Sequence, residues 1–225
     1  MSRVIIFDID NTLLRLQQAE SDAFARTFEI CYGITGVNQD WKSYKLGSDK
    51  GIAIEILEEH FGRPYEESEV ARIEDTFALL LRDIKPEPIA GAPAVLEALA
   101  ERDGAGFALS TGNWERTAKL RLEQAGMGKY FRFGGFAEDG HGKTVTLGAA
   151  LTKCRKEWPD LKSNANVVSV GDSPSDAIAA RTHGTHFIGI GTDTEKFDGL
   201  EVKRIFPDYQ DLKGFVEVVE GMWGV

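Results

Sequence analysis

Four short apolar runs in this chain are each followed at once by polar residues, and this recurring pattern constrains the fold more than any other feature. The runs lie at 4–7, 107–109, 167–170 and 187–190. Their uninterrupted apolar character is typical of strands buried on both faces of a parallel sheet. Helical patterns separate or follow them, at 91–103, 114–126, 145–157, 174–183 and 209–222. This alternation predicts right-handed βαβ units and an α/β fold with a doubly wound, Rossmann-like parallel sheet.

One segment interrupts the alternation. Within 15–84 the patterns are only helical, with no convincing strand, at 19–32, 50–61 and 66–81. Lys85-Pro86-Glu87-Pro88 follows as a stiff linker, because proline fixes its own φ and restricts the residue before it. We therefore expect a small helical cap domain, 15–84, inserted into a core domain formed by 1–14 and 85–225. Such an insert acts as a lid over a site; helices packed statically on the core are the alternative.

Charge and composition restrict the partners. The 225 residues carry a formal net charge of −10 and no dense run of Lys and Arg, so no nucleic-acid partner is expected. Cys31 and Cys154 stand far apart and outside any metal or redox motif, which favours reduced, buried thiols. The chain lacks a bilayer-length apolar stretch and a signal-peptide pattern. We expect a cytoplasmic protein without a membrane partner, either a monomer or a homodimer.

Carboxylates gather where two of the predicted strands end. Asp8 and Asp10 follow the first run, and Asp172 and Asp176 follow the third. Side chains at i and i+2 of an extended chain point to the same side, and ligands bind beyond the carboxyl ends of parallel strands. Close carboxylates are costly unless a cation or proton lies between them, and Mg²⁺ prefers oxygen ligands. The sequence predicts a Mg²⁺ site at this edge, with turn and helix-capping roles as the alternative.

A candidate anion site follows the second run. Thr111, Gly112 and Asn113 stand between the predicted strand and a predicted helix. A hydroxyl, a glycine and the free amides of a helix start can together cradle a phosphate. An ordinary helix cap explains the same residues equally well.

Taken together, these motifs resemble those of the haloacid dehalogenase-like hydrolases. FDIDNTL at 7–13 is similar to the family's DxDx(T/V) motif, LSTGN at 109–113 to its second motif, and VGDSPSD at 170–176 to its GDxxxD motif. The helical insert resembles a type 1 cap, as in the phosphoglycolate phosphatase-like branch. The third motif is a single basic residue, which we assign to Lys143 with Lys153 and Lys119 as alternatives.

The resemblance implies a mechanism. Asp8 would attack phosphorus to form an aspartyl-phosphate, and Asp10 would protonate the leaving oxygen and then deprotonate the attacking water. Lys143 would offset the charge of the transition state. The substrate would be a small phosphorylated metabolite. The presence of Asp10 favours phosphoryl transfer over dehalogenation, since a halide leaving group needs no proton.

The resemblance also implies the binding residues. Mg²⁺ would be held by Asp8, the main-chain carbonyl of Asp10, and Asp172. Phosphoryl oxygens would be bound by Thr111, Gly112 and Asn113. Supporting roles fall to Thr12, the threonine of the first motif, and to Asp176, which would anchor Lys143 or a metal-bound water.

Substrate contacts from the predicted cap are expected in Lys45-Leu46-Gly47-Ser48-Asp49-Lys50, which resembles the substrate loop of type 1 caps. Lys45, Ser48 and Lys50 are the candidates, with a turn capped by Ser48 or Asp49 as the alternative. His141 is a further candidate for substrate contact.

Two other functions remain open at this stage. A sugar-phosphate mutase shares the first half-reaction and passes the phosphoryl group to a second hydroxyl. A receiver-like signalling module also phosphorylates an aspartate on a doubly wound sheet, but it typically has adjacent acids and no helical insert, whereas Ile9 separates the acids here.

Overall fold

A six-stranded sheet forms the centre of the molecule in the computed structural model, which describes residues 2–223. Its strands run in the order β5-β4-β1-β6-β7-β8, and every neighbouring pair is parallel. Two further short strands, β2 and β3, pair antiparallel outside it. In chain order the strands are β1 Arg3–Phe7, β2 Leu14–Arg15, β3 Glu87–Pro88, β4 Ala105–Ser110, β5 Gly134–Gly135, β6 Val167–Gly171, β7 His186–Ile190 and β8 Arg204–Phe206.

Helices account for most of the remaining chain. In chain order they are α1 Gln18–Tyr32, α2 Asp49–Phe61, α3 Glu67–Leu81, α4 Ala92–Ala100, α5 Glu115–Gln124, α6 Lys143–Glu157, α7 Pro174–His183 and α8 Leu212–Met222. Among residues 2–223, none of them combines the length and the apolar character that a bilayer crossing requires.

The predicted fold class is confirmed, because the four apolar runs form β1, β4, β6 and β7 of one doubly wound parallel sheet. β1 lies between β4 and β6, with Phe7 in register with Leu109 and Val170. All three of these residues are buried. The chain segments that follow them therefore leave the sheet side by side, at one edge.

Two strands of this sheet have no counterpart in the sequence prediction. β5 consists of two glycines, and β8 contains Arg204 and only two apolar residues. Neither shows the apolar run that identifies a buried strand. Both lie at an edge of the sheet, where a strand needs fewer apolar side chains.

Helices α1, α2 and α3 occupy the predicted insert and share one hydrophobic cluster, which includes Phe28, Leu57 and Ile73. Trp114 and Ala137, outside the insert, also belong to this cluster. The expectation of no strand within 15–84, and of a plain linker at 85–88, is wrong in one respect. β2 pairs with β3, so that the two chain crossings into and out of the helices are hydrogen-bonded to each other. The division into core and cap at these boundaries stays a prediction.

A glycine in β5 determines how closely α6 approaches the sheet. A Cβ atom built on Gly135 would lie 1.8 Å from the main-chain oxygen of Thr146, which belongs to α6. Only a residue without a side chain permits this distance. Because α6 begins at Lys143, the same contact helps to place that lysine.

We predict that Gly135→Ala is destabilising by about 1–3 kcal/mol, because backbone atoms must move to accept the methyl group. Gly221→Ala in α8 is the matched control, since no atom lies within 4 Å of its added Cβ. There the change should stabilise by about 0.5–1 kcal/mol through helix propensity. Urea unfolding of both variants measures the difference, and equal free energies of unfolding would contradict the close approach of α6.

Candidate active site

Three carboxylates converge at the carboxyl ends of β1 and β6. Asp8 follows β1 directly, Asp172 follows β6, and Asp176 lies in the first turn of α7. One carboxylate oxygen from each lies within 4.8 Å of the others. Burial raises the pKa of Asp8 well above its usual range. Burial and the neighbouring Asp176 also raise the pKa of Asp172, to about 6.

The donor set of this cluster fits Mg²⁺. It consists of hard carboxylate oxygens, and the buried Asp8 and half-buried Asp172 line a cavity large enough for waters and a phosphate. A divalent cation would also relieve the repulsion that raises these pKa values. Among residues 2–223, this is the one group of at least three candidate ligands so arranged.

Lys143 is the lysine that meets the cluster. Its Nζ lies 2.5 Å from Oδ1 of Asp8 and 3.0 Å from Oδ1 of Asp176. Burial disfavours the lysine charge, but the two carboxylates outweigh it and raise the pKa of Lys143. The two alternatives lie elsewhere, since Lys153 contacts Asp139 at 2.9 Å and Lys119 pairs with Glu115 at 2.6 Å.

Asp176 has a capping role in addition to its contact with Lys143. Ser173 is the N-cap of α7, and its hydroxyl and main-chain N–H donate to Oδ2 of Asp176 at 2.5 and 3.1 Å. Oδ1 of the same carboxylate faces Lys143. The capping and anchoring interpretations of this motif therefore hold at the same time, because each uses a different oxygen.

The Asp10 side chain is held by two neighbouring side chains. Arg121 donates to one of its oxygens at 2.7 Å and Asn113 donates to the other at 3.0 Å. The chain turns at Asn11, whose φ of 55° is a conformation that asparagine tolerates. Burial raises the pKa of Asp10, but the contacts with Arg121 and Asn113 outweigh it, and the net pKa is lowered.

Arg121 links Asp10, in the loop after β1, to the helical insert, and the sequence analysis did not identify it. Its Nε donates to Glu20 of α1 at 2.7 Å, and its side chain is only 5% exposed. A sequence signal was nevertheless present. Arg121 lies on the same face of α5 as the buried Ala118 and Leu122. A charged residue on the apolar face of a helix predicts a buried partner.

The predicted anion cradle lies beside Asp8 and contacts the insert. Thr111, Gly112 and Asn113 all line the cavity that contains Asp8. The main-chain oxygen of Gly112 accepts from the N–H of Asp49 at 2.8 Å. A Cβ on Gly112 would lie 3.1 Å from the oxygen of Gly47, so the glycine allows the two loops to approach.

Thr12 is completely buried and does not line the cavity. Its hydroxyl has no hydrogen-bond partner among residues 2–223. Thr12 is therefore a buried residue of the loop after β1, close in sequence to Asp10 and without contact with the cavity.

The predicted substrate residues of the insert differ in position. Ser48 lines the cavity, caps α2 by accepting from Gly51 at 3.1 Å, and contacts Nδ1 of His141 at 2.9 Å. Lys50 instead pairs with Glu67 at 3.1 Å. Neither Lys50 nor Lys45 lines the cavity.

Asp49 is a cavity residue that the prediction treated only as a possible helix cap. Its Oδ2 accepts from the N–H of Trp114 at 3.3 Å. Burial, followed by the nearby charge of Asp10, raises the pKa of Asp49 to about 7. The cavity thus holds one acid with a lowered pKa, Asp10, beside acids with raised pKa values that include Asp49. Such an arrangement is typical of sites that move protons.

The cavity itself has a volume of about 710 Å³. Its floor carries Asp8, Asp10, Lys143 and Asp172, and its other wall is formed by α1, α2, α3 and the loop before α2. The arrangement places the buried carboxylate of Asp8, the ammonium group of Lys143 and the predicted anion cradle in one pocket of a size that suits a small molecule.

Comparison with known proteins agrees with this geometry. The family model described as haloacid dehalogenase-like hydrolase matches residues 2–184. The chain is also similar to a protein described as "Putative pyrophosphatase PpaX" from Caldanaerobacter subterraneus, with 24% identity over 238 residues covering 96% of this chain and 94% of that protein.

Two solved structures share the fold. CbbY from Rhodobacter sphaeroides in complex with phosphate superposes with a TM-score of 0.71 at 18% identity, covering 94% of this chain and 96% of that chain. YfnB from Bacillus subtilis bound to magnesium superposes with a TM-score of 0.68 at 17% identity, covering 96% of this chain and 99% of that chain. At these identities, the likeness concerns the fold alone.

We predict that Arg121→Met is destabilising by about 3–5 kcal/mol, because it leaves the buried Glu20 and the half-buried Asp10 without their cation. Arg132→Met is the matched control. Arg132 forms an ion pair as well, with Glu157 at 2.7 Å, but its side chain is 77% exposed. Its removal should change the free energy of unfolding by less than about 1 kcal/mol. Urea unfolding of both variants is the measurement, and similar losses would argue against a buried network.

We also predict that Asp49→Asn becomes more stabilising as the pH rises. The folded-state pKa of Asp49 is about 7 against an ordinary 3.8, so the folded protein loses stability through this group as the pH rises across that window. The amide carries no such charge. The difference in Tm between variant and wild type should increase from pH 4 to pH 8, by about 2–4 °C per kcal/mol. Asp103→Asn controls for the loss of an exposed carboxylate, and a flat difference for Asp49→Asn would refute the prediction.

Proposed function

The chain belongs to the haloacid dehalogenase-like hydrolase family, and from this premise we propose that it is a Mg²⁺-dependent phosphatase acting on a small phosphate monoester. The observation that carries the proposal is the contact of buried Asp8 with Lys143 at the floor of an open cavity, beside Asp172 and Asp176. A second acid, Asp10, stands two residues after the nucleophile.

Mg²⁺ would be held by the carboxylates of Asp8 and Asp172, with the main-chain oxygen of Asp10 completing the protein ligands. When bound, the cation neutralises the charge shared by these carboxylates and the phosphoryl oxygens. Lys143 supplies a further positive charge beside Asp8, and Asp176 keeps the ammonium group in that position.

In the first half-reaction, a carboxylate oxygen of Asp8 attacks phosphorus and the ester P–O bond breaks. The departing alkoxide takes a proton from Asp10 and leaves as an alcohol. In the second half-reaction, water attacks the phosphorus of the aspartyl-phosphate while Asp10 takes its proton. The acyl phosphate P–O bond then breaks, which releases inorganic phosphate and restores Asp8.

The surroundings of Asp10 bear on these two proton transfers. Arg121 and Asn113 hold both of its oxygens and lower its pKa, which favours the ionised form that accepts a proton from water. Asp49 adds a group that holds a proton near neutral pH in the same cavity. Thr111, Gly112 and the Asn113 region bind phosphoryl oxygens, so that phosphorus is held against Asp8.

We predict that wild-type protein releases phosphate from members of a phosphorylated-metabolite panel in the presence of Mg²⁺, and that EDTA abolishes the release. Asp8→Asn should lower turnover by several orders of magnitude, because an amide cannot act as the nucleophile. Rapid quench should trap covalent phosphate on the wild type and not on the variant.

Other outcomes identify other functions. Normal turnover by Asp8→Asn would refute Asp8 as the nucleophile. Formation of an isomeric phosphosugar without free phosphate would indicate a mutase. Stoichiometric phosphorylation of the chain without turnover would indicate a receiver-like module.

A further inference from the structure

One wall of the catalytic cavity is apolar and largely aromatic. The side chains that form it all come from the helical insert and the segment leading to it, and they are Leu16, Phe24, Trp41, Tyr44, Ile52 and Phe77. Phe24, Ile52 and Phe77 are buried behind the surface, whereas Trp41 and Tyr44 are half-exposed. The rings of Trp41 and Tyr44 stack with centroids 6.1 Å apart and an interplanar angle of 23°.

The polar atoms of the two half-exposed rings are already used within the protein. Nε1 of Trp41 donates to the hydroxyl of Ser21 at 3.1 Å, and the hydroxyl of Tyr44 donates to the main-chain oxygen of Asn38 at 3.0 Å. These bonds also fix the orientation of both rings. The edge of Trp41 is further held by Phe24, with centroids 5.3 Å apart. The wall therefore offers ring surfaces and little hydrogen-bonding capacity.

The buried charges of the cavity do not favour a second anionic group against this wall. Of the cations that line it, the buried Arg121 is compensated by Asp10 and Glu20, and the largely buried Lys143 by Asp8 and Asp176. The other two, Lys42 and Lys196, are exposed and half-exposed to water, so neither supplies a buried cation. A carboxylate pressed against Trp41 would lose water without gaining a buried cation, which is costly. The volume of about 710 Å³ is also far larger than a two-carbon phosphate ester needs.

Resting on the phosphatase function proposed above, we propose that the alcohol released by this enzyme carries an aromatic ring, which packs against Trp41 and Tyr44 while the phosphate lies at Asp8. Planar rings bind aromatic side chains better than aliphatic groups of equal area, because offset stacked and edge-to-face contacts add to hydrophobic burial. The substrate class is thus a phosphate monoester with a ring-bearing leaving group, larger and less charged than phosphoglycolate.

Three phosphate esters of primary alcohols test this inference with the intact protein and Mg²⁺. Benzyl phosphate carries the ring, ethyl phosphate lacks it, and cyclohexylmethyl phosphate has the same number of carbons as benzyl phosphate without aromaticity. We expect kcat/KM for the benzyl ester to exceed that for the ethyl ester by about tenfold or more. It should exceed that for the cyclohexylmethyl ester by about threefold.

Substitutions in the wall should remove this preference. Trp41→Leu should lower the benzyl-to-ethyl ratio of kcat/KM by about fivefold, and Tyr44→Leu provides a second, independent test if the first variant is unstable. Trp158→Leu is the matched control, because Trp158 is also a half-exposed tryptophan but packs against Phe133 outside the cavity. Its ratio should equal that of the wild type.

A binding measurement separates this inference from the phosphatase proposal. Calorimetry with 2-phenylethylphosphonate and propylphosphonate, which replace the ester oxygen by carbon, reports the ring preference without turnover. Tighter binding of the phenyl compound without hydrolysis of any ester would overturn the phosphatase function and support the ring site. Hydrolysis of all three esters at equal kcat/KM, with equal binding of the two phosphonates, would overturn the ring site alone. A cyclohexylmethyl ester as good as the benzyl ester would also overturn it, in favour of a general apolar pocket.

Discussion

The mutual repulsion of Asp8, Asp172 and Asp176 is the constraint on which the rest of this site depends. Their oxygens lie within 4.8 Å of one another because β1 and β6 are neighbours in a parallel sheet and end at the same edge. Such a cluster is tolerated only with compensating positive charge. Lys143 supplies part of it, and the donor set leaves a place suited to a divalent cation.

The position of Lys143 in turn depends on the packing of its helix against the sheet. Its helix, α6, lies against β5 only because Gly135 has no side chain to meet Thr146. The lack of a side chain has the same effect at Gly112, where the loop after β4 closely approaches Gly47 of the insert. Close backbone approach at these two glycines brings the basic residue and the insert to the carboxylates.

A second charged network joins the insert to the loop after β1, which contains Asp10. Arg121 contacts Asp10 on one side and Glu20 of α1 on the other, with all three groups largely withdrawn from water. Because α1 also carries Phe24 of the aromatic wall, the same contacts relate the orientation of Asp10 to the position of that wall. Under the proposed function, Arg121 would therefore link the residue that transfers protons to the wall that contacts the leaving group.

Local patterns were sufficient for the four central strands of the sheet, β4, β1, β6 and β7, and for the residues that follow three of them. Uninterrupted apolar runs indicate buried strands, and the residues that follow neighbouring parallel strands lie at the same edge of the sheet. Asp8, Thr111 and Asp172 could therefore be selected as site candidates from their positions after such runs. β5 and β8 were not predicted, because edge strands need few apolar side chains. β2 and β3 were not predicted, because a strand of two residues is too short to show a periodic pattern.

Long-range side-chain pairing was beyond the reach of such patterns. No spacing rule relates Arg121 to Glu20, which lies 101 residues away, or Ser48 to His141, which lies 93 residues away. The choice of Lys143 over Lys153 likewise depended on which lysine the packed α6 turns toward Asp8. Residue types and periodicity thus specified the kind of chemistry and the strand ends that carry it, because these follow from local geometry. Which charges meet, and what the wall of the cavity presents to a substrate, emerged only when distant segments packed together.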